Sequence, residues 1–388
     1  MPRYPSRLGF LNPMRSWTYA VDTVALSRRA ARECGRSAWE IAWDQLITGF
    51  STGLSRQEYH LYRLYHPELS EEHKRTYLPE GGIAATWRQL NEERYWWTLD
   101  NKLLFHYLCK AEGLPTPELL GLFDPVFGRT ASGTALRTTA DIARWIRDEA
   151  FDAPVLKPVE GMEGRLVLVF RGRHPDRPDT LVSLDGKEFS AERLHDFLTD
   201  RASFARELPN QALRNGTFAF LIQERVRQHP ALTELVGETL CCMRIMTLTT
   251  DRGEPSIIAA VMKLQGNRSG VDNMAQGSIN AWIDPRSGAL GPGRRLSCQI
   301  VDGYTSVPET GKRFVDFQLP YWSETQKLIL KASALVPWCR CLGWDVAVSE
   351  HGPVIIEANT RWGARLVQAS APHGLMTGEL RGLLKAPR

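Results

Sequence analysis

The sequence predicts an α+β protein with a mostly helical N-terminal region, and three stretches carry that prediction. In GWDVAVSEHGPVIIEAN (Gly343–Asn359), two β-branched runs, Val346–Val348 and Val354–Ile356, flank a polar turn punctuated by Gly352-Pro353. That composition specifies a β-hairpin. In APVLKPVEGMEGRLVLVF (Ala153–Phe170), a strand ending in Lys157-Pro158 passes through a glycine-bearing loop into a second strand. By contrast, Trp39–Phe50 carries apolar side chains at helical spacing.

Composition bounds the class. The 388 residues suffice for two or three domains with their own cores. A hydrophobic content of 43% and a charged content of 24% are ordinary for a soluble globular chain. The net charge of +4 favours a polyanionic small ligand, whereas a nucleic-acid binder would carry a denser basic patch. Seven cysteines, including Cys241-Cys242 and Cys339-x-Cys341, have neither zinc-site spacing nor an even count. They read as reduced thiols in a cytoplasmic protein. No apolar run reaches the roughly 18 residues of a membrane span, and the first residues lack the apolar core of a secretory signal.

Taken in order, residues 17 to about 78 read as helical. The Glu58–Leu69 segment continues the pattern up to breaks at Pro67 and Ser70, with Tyr59, Tyr62 and Tyr65 as a packing stripe. From Leu99 the signal sharpens. Asp100 suits an N-cap, Lys102 falls in the first helical turn, and Gly113 ends the helix before Pro115. A cation in a first turn opposes the helix dipole unless an anion sits there, and helix N-termini do bind phosphates.

In the second stretch, Gly161 and Gly164 let backbone amides approach a phosphate, and Lys157 adds a fixed charge. The loop joins two strands, so it is neither a P-loop nor a dinucleotide fingerprint. The strand from Phe218 ends in Gln223-Glu224-Arg225-Val226. Leu240–Thr250 is a further strand, closed by an Asp-Arg-Gly turn, with Arg244 among apolar residues. A buried arginine must be paired. A phosphate, a substrate carboxylate and a structural acid all qualify.

The returning strand ends in Lys263, followed by a glycine-rich loop bearing Arg268, Asp272 and Asn273. Ser323–Gly343 reads as a helix that delivers the chain to the hairpin, with Asp345 opening its first strand and Glu357 closing its second. Hairpin geometry brings these two carboxylates level, and Asn359, two residues on, shares the face of Glu357. Two carboxylates and an amide oxygen suit Mg²⁺, although a surface hairpin with scattered acids has the same composition. Arg361 follows two residues later.

The order of these motifs resembles the ATP-grasp fold, and its sugar-transfer-associated branch in particular, from about residue 99 to 375. The resemblance implies residues 1–98 as a helical pre-grasp region and 99–388 as the ATP-grasp domain. Within the latter it implies a flap subdomain at about 150–226 and a metal-binding subdomain at about 227–388. ATP and Mg²⁺ are the implied cofactors. Lys102 would touch the α-phosphate, while Lys157, Gly161 and Gly164 would close over the β- and γ-phosphates. The hinge Gln223, Glu224, Arg225 and Val226 would read the adenine edge through its backbone. Lys263 would meet the γ-phosphate, with Arg244, Asn273 and Arg361 at the transfer site and Asp345, Glu357 and Asn359 on the metal. The implied activity is ADP-forming ligation of a small-molecule carboxylate to an amine, in polysaccharide, glycoconjugate or secondary-metabolite synthesis. A kinase on the same fold and a scaffold without turnover are the alternatives. The oligomeric state is open, a homodimer included.

Overall fold

The computed structural model describes residues 13–161, 164–208, 218–264, 278–297 and 300–385. Two antiparallel sheets form its frame, each with seven strands among the described residues. The first contains β1 (Leu119–Phe123), β2 (Arg129–Thr130), β3 (Pro154–Pro158), β4 (Leu168–Arg173), β5 (Thr180–Ser183), β6 (Glu188–Ser190) and β7 (Phe220–Glu224), in the order β2-β1-β7-β3-β4-β5-β6. The second contains β8 (Cys242–Thr249), β9 (Pro255–Leu264), β10 (Ile279–Ile283), β11 (Leu290–Ser297), β12 (Ile300–Tyr304), β13 (Cys341–Ser349) and β14 (Gly352–Asn359), in the order β12-β11-β10-β9-β8-β13-β14.

Alternation along β8 assigns the faces of the second sheet. Met243 and Ile245 pack with Ile329 and Ala332 of the helix Trp322–Ala334. Met246 and Leu248 join Ile83, Leu90, Trp362 and Leu366 on the other face. Odd and even residues of one strand thus serve two different cores, as a two-sided sheet requires. Arg244 belongs to the second face, which also carries the polar residues described below.

The N-terminal helical region covers part of that face, and buried amides tie it down. Asn91 is fully buried, donates to the carbonyls of Cys341 and Thr360 at 2.8 Å each, and accepts from Cys341 N at 2.9 Å. Gln368 accepts from Leu78 N and Leu375 N and donates to Leu78 O and the Tyr62 hydroxyl. Asp44 collects Lys74 Nζ, the Tyr59 hydroxyl and Arg36 at 2.6–2.9 Å inside the same layer.

Several local expectations change. The helix expected over Glu58–Leu69 spans only Arg56–Leu61. Arg63, at φ 56°, turns the chain into the left-handed region before Pro67 is reached. Tyr59, Tyr62 and Tyr65 are all buried core. The helix Ala38–Thr52 forms as the periodicity predicts, but Ile41, Gln45 and Thr48 face inward while Trp39, Trp43 and Phe50 stay exposed. The helix expected to reach Gly343 ends at Ala334, ahead of Pro337, and β13 begins at Cys341. Asp345 therefore sits at the middle of its strand.

The Asn91 bonds make a testable anchor. Asn91→Ala removes the partner of Thr360 O and of Cys341 N, while Cys341 O keeps Trp362 Nε1 at 3.0 Å, and we expect a loss of roughly 2–3 kcal/mol in urea unfolding. An unchanged urea midpoint would show that the helical layer is held by apolar packing alone.

Candidate active site

Lys102, Lys157, Gln223, Glu224, Arg225, Lys263, Asp345 and Glu357, all singled out in the sequence, converge on one pocket between the two sheets. Asp345 and Glu357 are direct cross-strand partners, and Gly343 pairs with Asn359. The β13–β14 ladder slips just beyond the acidic pair, where Val346 pairs with Ile355 and Ile356 is the extra residue. Neighbouring residues of a regular strand face opposite sides, but a bulge re-aims one of them. Ile356 and Glu357 consequently line the same pocket.

Asp345 is buried and doubly engaged. Arg244 Nε donates to its Oδ1 at 2.6 Å and an Arg244 terminal nitrogen donates to Oδ2 at 3.0 Å, with Lys263 Nζ 3.4 Å from Oδ2. Burial by itself pushes the carboxyl pKa up, but the charges of Arg244 and Lys263 outweigh it and hold Asp345 well below the usual carboxylate range. Of the partners left open for Arg244, the structural acid is therefore the one observed, and that acid is a proposed metal ligand. Asn359 Nδ2 donates to Gly343 O at 3.1 Å and lies 3.4 Å from Glu357 Oε1, which leaves its oxygen for other partners. Among the described residues no group of three His, Cys, Asp or Glu side chains converges. The donor set of two carboxylates and one amide oxygen fits a hard cation whose remaining ligands come from phosphates or water.

Three lysines reach the same pocket from separate elements. Lys102 begins the helix Lys102–Ala111, whose N-cap is Asn101 and not Asp100. The Asn101 side chain accepts from Leu103 N and Leu104 N, while Asp100 is occupied by Thr360 and Arg361. Lys102 Nζ donates to Gly161 O at 2.7 Å and lies 3.9 Å from Glu357. Lys157, on β3, is 8% exposed and forms no ion pair among the described residues. Burial first, then repulsion from Lys102, lowers its pKa to about 8, against attraction from Glu357. Lys263, the third, comes from β9.

Gly161 and Gly164 both line the pocket, and Gly164 has φ 65°, where a β-branched side chain would be strained. Gln223, Glu224, Arg225 and Val226 lie at its far wall. The Glu224 and Arg225 amides are committed to Glu118 O and Ala153 O, and the Glu224 carboxylate accepts from Ala153 N. Arg361 pairs with Asp100 at 2.9 Å, over the Trp96 ring, and is not part of the pocket lining. Asn273 lies outside the described residues.

The pocket also has walls that sequence reasoning missed. Val155, Val169 and Leu184 face Leu240 and Ile356 across an apolar slot, with Glu238 at its edge. Strand alternation could have found two of these, because Val155 precedes Lys157 by two residues and Cys242 lies between Leu240 and Arg244. Glu238 carried no such signal.

Residues 84–381 match the family described as sugar-transfer associated ATP-grasp. The chain belongs to that family, and its fold is ATP-grasp, two α+β units on either side of a cleft. No curated protein sequence matches it. Among solved structures it is similar to the L-amino acid ligase from Bacillus licheniformis, at 12% identity over 74% of this chain and 50% of that one, with a TM-score of 0.38. D-alanyl-alanine synthetase A from Vibrio cholerae gives 10% identity over 74% and 60%, with a TM-score of 0.37. The biotin carboxylase domain of the Hydrogenobacter thermophilus 2-oxoglutarate carboxylase, solved with MgADP, ADP and bicarbonate, gives 12% identity over 68% and 40%, with a TM-score of 0.36. The matches thus span 40–60% of those chains. At such TM-scores they support no conclusion about activity. No helix among the described residues is long and apolar enough to cross a membrane.

Lys157 supplies a pH prediction. Its pKa of about 8 in the folded protein lies below its ordinary value of 10.5, so the unfolded chain binds more protons between the two. Stability of the free protein should gain from this group as pH rises through that window. A bound phosphate would restore the charge, so nucleotide binding near pH 9 should take up a proton and weaken as pH rises further. Calorimetry in two buffers of different ionisation enthalpy measures the uptake, and Lys157→Met should abolish it. Equal heats in both buffers for the unmodified protein would mean that Lys157 does not meet the ligand.

Proposed function

We propose that this chain binds Mg²⁺-ATP in the cleft and uses it to join a carboxylate to an amine, releasing ADP and phosphate. The observation that carries this reading is the convergence of Lys102, Lys157 and Lys263 on one pocket that ends at Asp345 and Glu357. Three cations from three elements match a triphosphate, and phosphoryl transfer asks a protein mainly for positioning and charge neutralisation.

The apolar slot between Val155, Val169 and Leu184 on one side and Leu240 and Ile356 on the other suits a flat base. With the Glu224 and Arg225 amides already bonded, Val226 N–H is the hinge donor left for the base edge. Glu238, at the rim, would accept from sugar hydroxyls. Asp345, Glu357 and Asn359 would hold Mg²⁺, which neutralises phosphate charge as a Lewis acid. Lys102 would fix the α-phosphate, Lys157 and the amides around Gly164 the β- and γ-phosphates, and Lys263 the transferred group.

In the first step a carboxylate oxygen attacks the γ-phosphorus, and the bond to the β-bridging oxygen breaks, its electron pair leaving with ADP. In the second an amine attacks the acylphosphate carbon. Phosphate departs with the C–O electron pair, and the nitrogen loses a proton. No enzyme nucleophile enters the balance. A screen of carboxylates with and without amines, read by ADP release and product mass, tests this. A phosphorylated product that accumulates with no amine requirement would make the chain a kinase, and ADP release with no substrate would sink both readings.

Two substitutions separate metal chemistry from architecture. Glu357→Gln removes one charge from a partly exposed site and should leave the melting temperature nearly unchanged while slowing turnover on the order of 1,000-fold. Asp345→Asn removes the buried carboxylate charge that Arg244 and Lys263 face and should cost about 3–5 kcal/mol. Melting curves without nucleotide compare the two, and a Glu357→Gln protein that melts as early as Asp345→Asn would make Glu357 a structural acid.

A further inference from the structure

Beyond Lys263 the polar face of the second sheet continues away from the pocket. Asn280 on β10 is the direct cross-strand partner of Lys263 on β9 and of Arg294 on β11. Direct partners project from the same face with Cβ atoms about 5 Å apart, so the three side chains form a row some 10 Å long.

Two members of this row lack what a folded core supplies. Asn280 is fully buried, and neither its Oδ1 nor its Nδ2 has a hydrogen-bond partner among the described residues. Its carbonyl, by contrast, accepts from Ser370 Oγ at 2.6 Å. Arg294 is partly buried and forms no hydrogen bond or ion pair with any described residue. The charge acting on it is of its own sign. Burial first, then Arg63 across from it, lowers its pKa to about 10, with Tyr65 and Tyr77 opposing. Arg63 is the residue held in the left-handed region, where it pairs with Glu33. Buried amides are almost always satisfied, and one left unmet beside a guanidinium that no described residue engages marks a place where a ligand completes the network.

We propose, resting on the nucleotide reading of the adjoining pocket, that the row from Lys263 through Asn280 to Arg294 is the acceptor subsite. It takes a small molecule bearing an oxyanion, carboxylate or phosphate, which Arg294 binds while Asn280 meets a polar group nearer Lys263. The reacting end of the acceptor then lies at Lys263, beside the phosphate-transfer position. Arg63 and His66 of the N-terminal helical region stand close enough to Arg294 for the charges to act on one another, which puts that region on the far side of the subsite.

The test uses the full chain saturated with Mg²⁺ and a non-hydrolysable ATP analogue, so that nucleotide subsites are filled. Inorganic phosphate and succinate are titrated separately, against sodium chloride of equal ionic strength, by thermal shift and calorimetry. A saturable response to either probe is expected, and the stronger one identifies the oxyanion. Arg294→Met should weaken that response at least tenfold while leaving analogue affinity within twofold. Asn280→Asp places a carboxylate beside Arg294, so it should raise the melting temperature of the free protein and abolish the response. No response beyond salt in the unmodified protein, or an undiminished response in either variant, overturns the subsite. Where Arg294→Met does not fold, Asn280→Asp decides alone. Failure of the analogue to bind sinks the nucleotide reading, and the titration is then run without it. A response lost in the variants still supports the anion subsite, and one retained overturns it.

Discussion

The buried carboxylate of Asp345 is the constraint on which the rest of the structure depends. An isolated ionised acid in a protein interior is prohibitively costly, and here Arg244 and Lys263 offset that cost from the two next strands. The bidentate contact holds only while β8, β9 and β13 keep their register, because a one-residue slip would turn Arg244 to the opposite, apolar face. The bulge beside Asp345 then sets where Glu357 and Ile356 point. Sheet geometry and site chemistry are therefore one arrangement.

Charge within the cleft is not self-satisfied. Asp345 has two cations, whereas Lys157 has no ion-pair partner among the described residues, and burial and Lys102 lower its pKa to about 8. A site that holds desolvated cations apart from acids is preorganised for an anion, and binding energy recovers what folding left unspent. The same logic extends along the sheet to Arg294.

The helical region acts through this sheet. Asn91 and Gln368 fasten it to β13, to the segment after β14 and to the C-terminal turns, and Asp100 holds Arg361 and Thr360 just past the acidic hairpin. Arg361, assigned to the transfer site from its position after Asn359, is in the structure a strut between these layers. Arg63, from the same region, faces the outer end of the polar row.

The sequence by itself determined what depends on neighbours along the chain. The hairpin, the level pairing of Asp345 with Glu357, the strand–lysine–glycine loop and the order of the motifs all follow from alternation, turn residues and spacing of a few positions. Only the tertiary structure decided what depends on the pairing of strands and on contacts between residues distant in the chain. Arg244 was visible as a buried cation, but its partner lies 101 residues away. The bulge that turns Ile356 into the cleft and the row from Lys263 to Arg294 arise from how the strands pair. No local pattern states that β10 lies between β9 and β11, because register between strands is settled by packing of both sheet faces at once.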